Sequence, residues 1–130
     1  MTQEDKKLLF TDLCGRLPYG VQLKCVKSVS ALWGHDITLD THWLDKLQSP
    51  FHEFKPYLFP MSSMTEEQYN EMHNYCYNAE IEASKFSNGE LKIIYNYEFF
   101  KFDYLNRNHF DYRGLIPMGL AKDATGLNIY

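Results

Sequence analysis

Residues that mark disordered or disulfide-bonded chains are scarce in this sequence. Its 130 residues include only 5 Pro and 7 Gly, and 45% are hydrophobic, which argues against a disordered chain. Three cysteines, Cys14, Cys25 and Cys76, are widely spaced and form no C-x-x-C pair. They indicate small buried side chains in a reducing compartment, not a disulfide framework. The length is typical of one domain, so we predict a single globular domain over 1–130.

Long apolar runs and an excess of basic residues are also missing. No stretch approaches the roughly 20 apolar residues that a membrane span needs, and the first residues, MTQEDKKLLF, do not resemble a signal peptide. The formal net charge is −4, which argues against general nucleic-acid binding because such proteins need a basic patch. We therefore expect a cytoplasmic protein that does not associate with a membrane. We also expect no general nucleic-acid binding.

What the chain does have is local acidity and many aromatic rings. Segment 61–90 holds six glutamates against Lys85 alone, a balance of −5, whereas the flanking segments are nearly neutral. This pattern is typical of a solvated helix face; the alternative is an acidic surface for a basic partner, or a nucleic-acid mimic. Aromatic residues make up 16% of the chain, so rings should dominate the core and leave some tyrosines half-exposed for recognition.

The first half of the sequence predicts a helix followed by strands. Thr2 before a run of acidic residues indicates a helix over about 3–15. Alternation of Val21, Leu23 and Cys25 with polar residues predicts a strand, within a meander or hairpin across 20–40. Prolines at 50, 56 and 60 argue against regular structure, so 47–64 is predicted as an ordered loop attached to the core by its aromatic side chains.

The second half predicts helices. Thr65 and Gln68 form a capping box, Met64 and Tyr69 a hydrophobic staple, and the helix should cover 66–84 and end before Asn88-Gly89. The next stretch is ambiguous between strand and helix across 91–104. We split it into a strand to about 95 and a helix from about 97 to 107, capped by Asn96. The predicted fold is α+β, with a small antiparallel sheet packed with about three helices.

The segment NHFDYRGLIPMGLA, 108–121, has a structural and a functional interpretation. Structurally, Asn108 is a left-handed helix cap, 111–114 forms a type I turn with Asp first and Gly fourth, and Leu115, Ile116 and Leu120 enter the core. Functionally, the segment and the preceding helix end supply a candidate binding set of Arg107, His109, Asp111, Tyr112 and Arg113. We favour the structural interpretation, because adjacency in sequence does not by itself make a catalytic pair.

Signatures of catalysis and metal binding are absent. Neither GHDITLDTH, with His35, Asp36, Asp40 and His42, nor the pair His73 and Cys76 matches a metal motif. The three cysteines lie on predicted apolar faces, where thiols are inert. Ser62 and Ser63 lack a G-x-S-x-G elbow, and no phosphate-binding glycine motif occurs. The sequence therefore predicts no catalytic residue, no metal site and no cofactor.

Three motifs carry a resemblance to a known group of proteins. LPYG at 17–20, KPYLFPMSSMTEEQ at 55–68 and NHFDYRGLIPMGLA at 108–121 resemble a family of short, uncharacterised proteins that we associate with gut anaerobic bacteria, their phages and other mobile elements. Segment 21–54 matches no pattern of that family. The resemblance implies an accessory role in the biology of mobile elements, and it implies no activity or catalytic residue.

Our leading hypothesis is a small non-enzymatic protein that binds another protein through acidic and aromatic side chains. One alternative is a small-molecule, nucleotide-like binder in which a tyrosine or phenylalanine stacks on the base and Arg107 or Arg113 contacts the anion. Another is a minimal hydrolase that uses His109 and Asp111. The sequence leaves the oligomeric state and the partner open.

Overall fold

The computed structural model describes residues 1–85 and 96–130 and has the predicted α+β fold. Its helices are α1 (Gln3–Arg16), α2 (Thr41–Lys46), α3 (Glu66–Lys85) and α4 (Tyr97–Arg107). Its strands are β1 (Gln22–Ser28), β2 (Asp36–Thr38), β3 (His52–Pro60), β4 (Phe110–Asp111) and β5 (Lys122–Asp123). The predicted strand before residue 95 and the predicted helix end before Asn88-Gly89 lie outside the described residues.

The described chain divides into two compact units. The first unit comprises 1–61 and 109–130 and contains the sheet with α1 and α2, whereas the second unit, 62–108, contains α3 and α4. The core of the first unit is formed by leucines of α1, apolar residues of β1 and β3, and the segment after β4. Leu115 and Leu120 belong to this core and Ile116 packs against it, which confirms their predicted docking.

The sheet is mixed rather than wholly antiparallel. Strands run in the order β2-β1-β3-β4, and β5 also pairs with β3. The predicted antiparallel hairpin is present, because β1 pairs antiparallel with β2, and it pairs antiparallel with β3 as well. In contrast, β4 and β5 run parallel to β3, and each contains only two residues. Such short strands carry no readable alternation, so the sequence could not reveal them.

The prediction of a loop over 47–64 is wrong, because this segment contains β3, the central strand. Pro56 lies opposite Leu23 of β1. Both main-chain groups of Cys25 bond toward the β2 side, with Cys25 N–H donating to His35 C=O and Gly34 N–H to Cys25 C=O. Because the direction of main-chain hydrogen bonding alternates along a strand, the N–H and C=O of Leu23 also point toward β2. The residue opposite Leu23, Pro56, therefore does not need an N–H to pair with β1. On the other edge, pairing begins only at Tyr57. Pro56 therefore fits a central strand.

Helix α1 confirms the predicted N-terminal helix and corrects one cysteine. Thr2 caps it through a reciprocal pair of hydrogen bonds with Asp5, each 3.0 Å long. Leu9 and Leu13 point into the core. Cys14, predicted on the apolar face, is exposed, whereas Cys25 and Cys76 are buried and all three are free thiols. Cys14 follows buried Leu13 by one residue, a step of about 100° around the helix that turns it toward solvent.

The second unit confirms both predicted helices. Thr65 N–H donates to Gln68 Oε1 at 2.9 Å and Gln68 N–H donates to Thr65 Oγ1 at 3.1 Å, which is the predicted capping box of α3. Asn96 caps α4, accepting from Phe99 N–H at 3.2 Å. Asn108 is not the left-handed residue after α4, because its φ is −100°. The left-handed residue is His109, with φ 64°, one position later, where such a residue commonly ends a helix.

Candidate functional site

The structure divides the predicted binding set between the two units. Arg107 ends α4 in the second unit, whereas His109, Asp111, Tyr112 and Arg113 belong to the first. Each of them already contacts other side chains or main-chain groups of the protein. Their partners are therefore the first guide to what they do.

Arg107 joins α4 to α3 within the second unit. Its Nη2 lies 2.9 Å from Asp103 Oδ2 and donates to the Tyr75 hydroxyl at 3.3 Å, and its guanidinium stands 5.2 Å from the centre of the Tyr75 ring. The Tyr75 hydroxyl in turn donates to Asp103 Oδ2 at 2.6 Å. Burial, followed by the bond to Asp103, raises the pKa of Tyr75. A carboxylate already occupies the place that the nucleotide hypothesis assigns to a ligand anion.

Asp111 organises the turn that follows β4. It is buried, and its two carboxylate oxygens accept from Leu115 N–H at 2.8 Å and Ile116 N–H at 2.9 Å. Within the described residues, no hydrogen bond joins Asp111 to His109. The structure therefore does not bring together the acid–base pair on which the hydrolase alternative depends. It gives Asp111 the local backbone-bonding role typical of Asp in turns.

Arg113 and Tyr112 belong to a buried charged group that we call the Asp12 cluster: Asp12, Arg16, Tyr112 and Arg113. Asp12 and Arg16 are fully buried; Arg16 Nε and Nη2 lie 2.8 Å and 3.2 Å from the Asp12 oxygens. Arg113 Nε donates to Asp12 Oδ1 at 3.1 Å. The Tyr112 ring has the Arg16 and Arg113 guanidinium groups 5.1 Å and 5.3 Å from its centre. The charged groups and the ring of this cluster thus bond mainly to one another.

Asp12 and Arg16 were not among the candidate residues predicted from the sequence. Arg16 Nη2 also donates to the Phe110 carbonyl at 2.7 Å, which ties α1 to β4. A signal was present in the sequence: an Asp and an Arg four residues apart lie on one side of a helix. Here that side carries the buried leucines Leu9 and Leu13. A charged pair on an apolar stripe indicates a buried ion pair with a further partner.

His109 lies at the edge of the Asp12 cluster in a buried, aromatic setting. It is 9% exposed, and its ring stacks on Tyr130 at 3.6 Å between centroids with 10° between planes. Its Nδ1, like Arg16 Nη1, is buried without a hydrogen-bond partner among the described residues. Burial, helped by the positive charge of Arg16, lowers the pKa of His109 to about 4. The imidazole is therefore neutral near pH 7, which favours stacking over proton transfer.

A second arrangement of tyrosine and charge lies on the outside of α3. Tyr69, Tyr77 and Ile81 are 54%, 59% and 40% exposed. Their spacings of eight and four residues place them within about a third of the helix circumference. Glu66 and Glu80 fall between them on the same side by the same spacing rule. These five residues are called the α3 outer face.

Features of other functional classes are not found in the described residues. No group of three or more His, Cys, Asp or Glu side chains there could hold a metal ion. Among the helices of 1–85 and 96–130, none is both long and apolar enough to cross a membrane. Asp40, one of the residues considered as a metal ligand, caps α2 by accepting from Trp43 N–H at 3.0 Å.

Comparison with known proteins identifies no similar protein. No protein-family model matches the chain, and searches of curated proteins and of solved structures also find no match. Function is therefore inferred from the side chains themselves.

Proposed function

We propose that the protein binds a basic, arginine-containing segment of another protein through the α3 outer face. The observation that carries this proposal is the exposure of Tyr69, Tyr77 and Ile81 on a helix that also exposes four glutamates. Exposed tyrosines are enriched at protein interfaces. The buried face of α3, by contrast, already packs through Met72 and Cys76.

Charge specifies the partner. Helix α3 contains five glutamates and one lysine, a balance of −4. The second unit already shows how an arginine is held in such surroundings, because Arg107 stands over the Tyr75 ring while it pairs with Asp103. On the α3 outer face, Tyr77 and Glu80 offer a ring and a carboxylate three residues apart. An arginine from a partner could repeat the same combination of stacking and ion pairing there.

The size of the nearby depression favours a side chain over a free ligand. A cleft of about 140 Å³ is lined by Tyr77, Glu80, Ile81 and Ser84. Pockets that enclose a small molecule usually measure roughly 300–1,000 Å³. A cleft half that size fits one or two side chains of a partner, which supports protein binding over nucleotide binding at this face.

We propose further that this binding takes place in the cytoplasm and serves a mobile element, for example by inhibiting a host defence protein. Support for the compartment comes from three free thiols. Support for the mobile element comes from the three motifs that resemble the phage-associated family. A basic partner of this kind could be a nucleic-acid-binding protein, for which an acidic face acts as a mimic.

Fluorescence anisotropy with a labelled arginine-rich peptide tests the proposal. The double variant Tyr69→Ala/Tyr77→Ala should bind the peptide about tenfold more weakly or worse, because removing interface tyrosines costs on the order of 1–2 kcal/mol. A lysine-rich peptide of equal charge should bind the wild-type chain more weakly than the arginine-rich one, since lysine stacks less well on tyrosine.

The matched control is Trp33→Ala, which removes a 61% exposed aromatic residue from the other unit. Its affinity for the peptide should equal that of the wild type. If the double tyrosine variant binds as tightly as the wild type, attraction by net charge alone accounts for the binding and the α3 outer face is not the site.

A further inference from the structure

The segment 125–130 is held by local bonds at its start, where Thr125 N–H donates to Asp123 Oδ1 at 2.9 Å, and by one side chain at its end. Leu127 N–H donates to Ala124 C=O at 3.2 Å, and none of the residues described beyond it makes a main-chain hydrogen bond to another main-chain group. Residues 125–128 are exposed, and Asn128 adopts φ 53°. Tyr130, by contrast, returns to the sheet and makes hydrogen bonds and ring contacts there. Among the described residues beyond Leu127, the hydrogen bonds that hold the segment are those of the Tyr130 side chain.

The Tyr130 hydroxyl occupies a gap between two strands of the sheet. It donates to the Tyr57 carbonyl at 2.7 Å and accepts from Gln22 N–H at 2.9 Å. Antiparallel pairing places Leu23 opposite Pro56, so Gln22 and Tyr57 stand at the next position, where their N–H and C=O would ordinarily bond to each other. The hydroxyl lies between these two groups instead. The sheet thus presents one donor and one acceptor to a hydroxyl group.

The ring of Tyr130 lies on an aromatic platform that belongs to the sheet. His109 stacks on it at 3.6 Å and Phe59 lies 5.9 Å away, centroid to centroid. Main-chain bonding joins the backbones of the two platform residues, because Phe59 N–H donates to the His109 carbonyl at 2.8 Å. His109 is 9% exposed while Tyr130 is 45% exposed. Tyr130 therefore lies at the surface and covers the His109 ring.

We propose that this slot, formed by Gln22, Tyr57, Phe59 and His109, is a binding site for a phenol ring, filled here by Tyr130 and open to the phenol of another molecule when the segment 125–130 lifts away. The flat ring is recognised by the His109 face, and the hydroxyl by the Gln22 N–H and the Tyr57 carbonyl. The phenol can belong to a free small molecule or to a tyrosine of a second copy of this chain. This site lies in the first unit and is independent of the α3 outer face.

A free phenol must compete with the Tyr130 ring, which is tethered to the same chain as the slot. A short flexible connection gives Tyr130 an effective concentration in the millimolar range at its own site. A free phenol must exceed that concentration to displace it from the wild-type chain. Removal of the Tyr130 ring takes this competition away, so the variant Tyr130→Ala should bind a free phenol at least about tenfold more tightly than the wild type.

Titration with p-cresol, followed by NMR of the His109 ring signals, tests the site. The signals are assigned by their loss in His109→Asn, a residue that also accepts a left-handed backbone. In Tyr130→Ala, p-cresol should shift them in a saturable manner. Toluene, which has the ring without the hydroxyl, should bind about tenfold more weakly, because it leaves the Gln22 N–H and the Tyr57 carbonyl unbonded.

Two further variants separate displacement of the Tyr130 ring from a general loosening of the segment 125–130. Leu127→Ala changes a 52% exposed residue of the same segment and should behave as the wild type. Tyr130→Phe keeps the stacked ring but not the hydroxyl, so p-cresol should displace it more readily than it displaces Tyr130. If neither Tyr130→Ala nor Tyr130→Phe shows a saturable shift of the His109 signals, or if toluene equals p-cresol, the slot is not a phenol site.

The source of the phenol is then separated by sedimentation. If a second copy supplies it, the wild-type chain should dimerise as its concentration rises, and both Tyr130 variants should stay monomeric. If the wild type also stays monomeric while p-cresol binds, the site takes free phenols. Each result assigns a source to a site that the titration has established.

Discussion

The Asp12 cluster and the α3 outer face combine tyrosine with charge in opposite ways. In the Asp12 cluster, one carboxylate serves two guanidinium groups and a tyrosine ring lies against both. On the α3 outer face, exposed tyrosines stand beside exposed Glu66 and partly buried Glu80. The residue types that look functional in the sequence are thus structural in the first region and available for binding in the second. Burial and pairing, not residue type, separate the two.

The comparison also has an energetic side. Removing one member of a buried ion pair leaves the other charge without compensation in a poorly polarisable interior, at a cost of about 3–5 kcal/mol. An exposed pair gives about 0–1 kcal/mol because water and salt screen it. The two regions should therefore respond very differently to loss of a single charge.

The largest expected effect is that of Asp12→Ala. The change leaves fully buried Arg16 without its carboxylate, so the free energy of unfolding should fall by about 3–5 kcal/mol. Urea unfolding measures this as a lower midpoint at an unchanged slope. The double variant Asp12→Leu/Arg16→Met removes both buried charges and should recover part of the loss, because Arg113 is partly exposed. A loss below about 1 kcal/mol would contradict the assignment of Asp12 as the anchor of the cluster.

The next effect comes from the pH response of His109. Its pKa is about 4 in the folded protein because of burial and of Arg16, against about 6.5 in an unfolded chain. Between these values the unfolded state binds more protons, so stability rises with pH from about 4 to 6.5 and is complete above 6.5. Acidification through this window should remove on the order of 3 kcal/mol. Thermal or urea unfolding across pH 4–7 measures it.

His109→Asn supplies the control for this pH response. Asparagine tolerates the left-handed backbone of this position, φ 64°, and does not titrate. The variant should lose a large part of the rise in stability between pH 4 and 6.5, leaving the part that arises from carboxylates. An unchanged profile would show that the pKa of His109 is the same in the folded and unfolded states, and that the imidazole does not belong to the neutral interior of the first unit.

Local signals predicted local structure well. The Thr65–Gln68 capping box and the Asn96 cap depend on atoms three residues apart, and both helices begin where the sequence predicts. The Leu115–Leu120 stretch docks as predicted, with Leu115 and Leu120 buried in the core of the first unit. The strand β3 was missed because of its prolines. Whether a strand tolerates Pro56 depends on the direction of the β1 hydrogen bonds, which is a property of the partner strand.

The candidate sites were less predictable because their contacts are distant in sequence. Arg113 meets Asp12 across 101 positions, and Tyr130 meets Gln22 across 108. No pattern in either segment indicates the other. His109 and Asp111 are neighbours in sequence, yet β4 and the turn after it direct Asp111 to Leu115 and Ile116. Proximity along the chain suggested that His109 and Asp111 form a hydrogen-bonded pair, but the Asp111 carboxylate bonds to main-chain groups of the turn instead.

The smallest expected effect comes from an exposed pair at the end of α3. Lys85 Nζ lies 2.9 Å from Glu82 Oε1, and the two side chains are 60% and 62% exposed. A double-mutant cycle with Glu82→Ala and Lys85→Ala should give a coupling of about 0.3–0.5 kcal/mol, and raising the salt concentration to about 1 M, where the screening length is only about 3 Å, should shrink it further. The same cycle on Asp12 and Arg16 should change little with salt, because no water reaches that pair. Equal salt dependence of the two couplings would mean that the Asp12 cluster is open to solvent, and the contrast between the two regions would be lost.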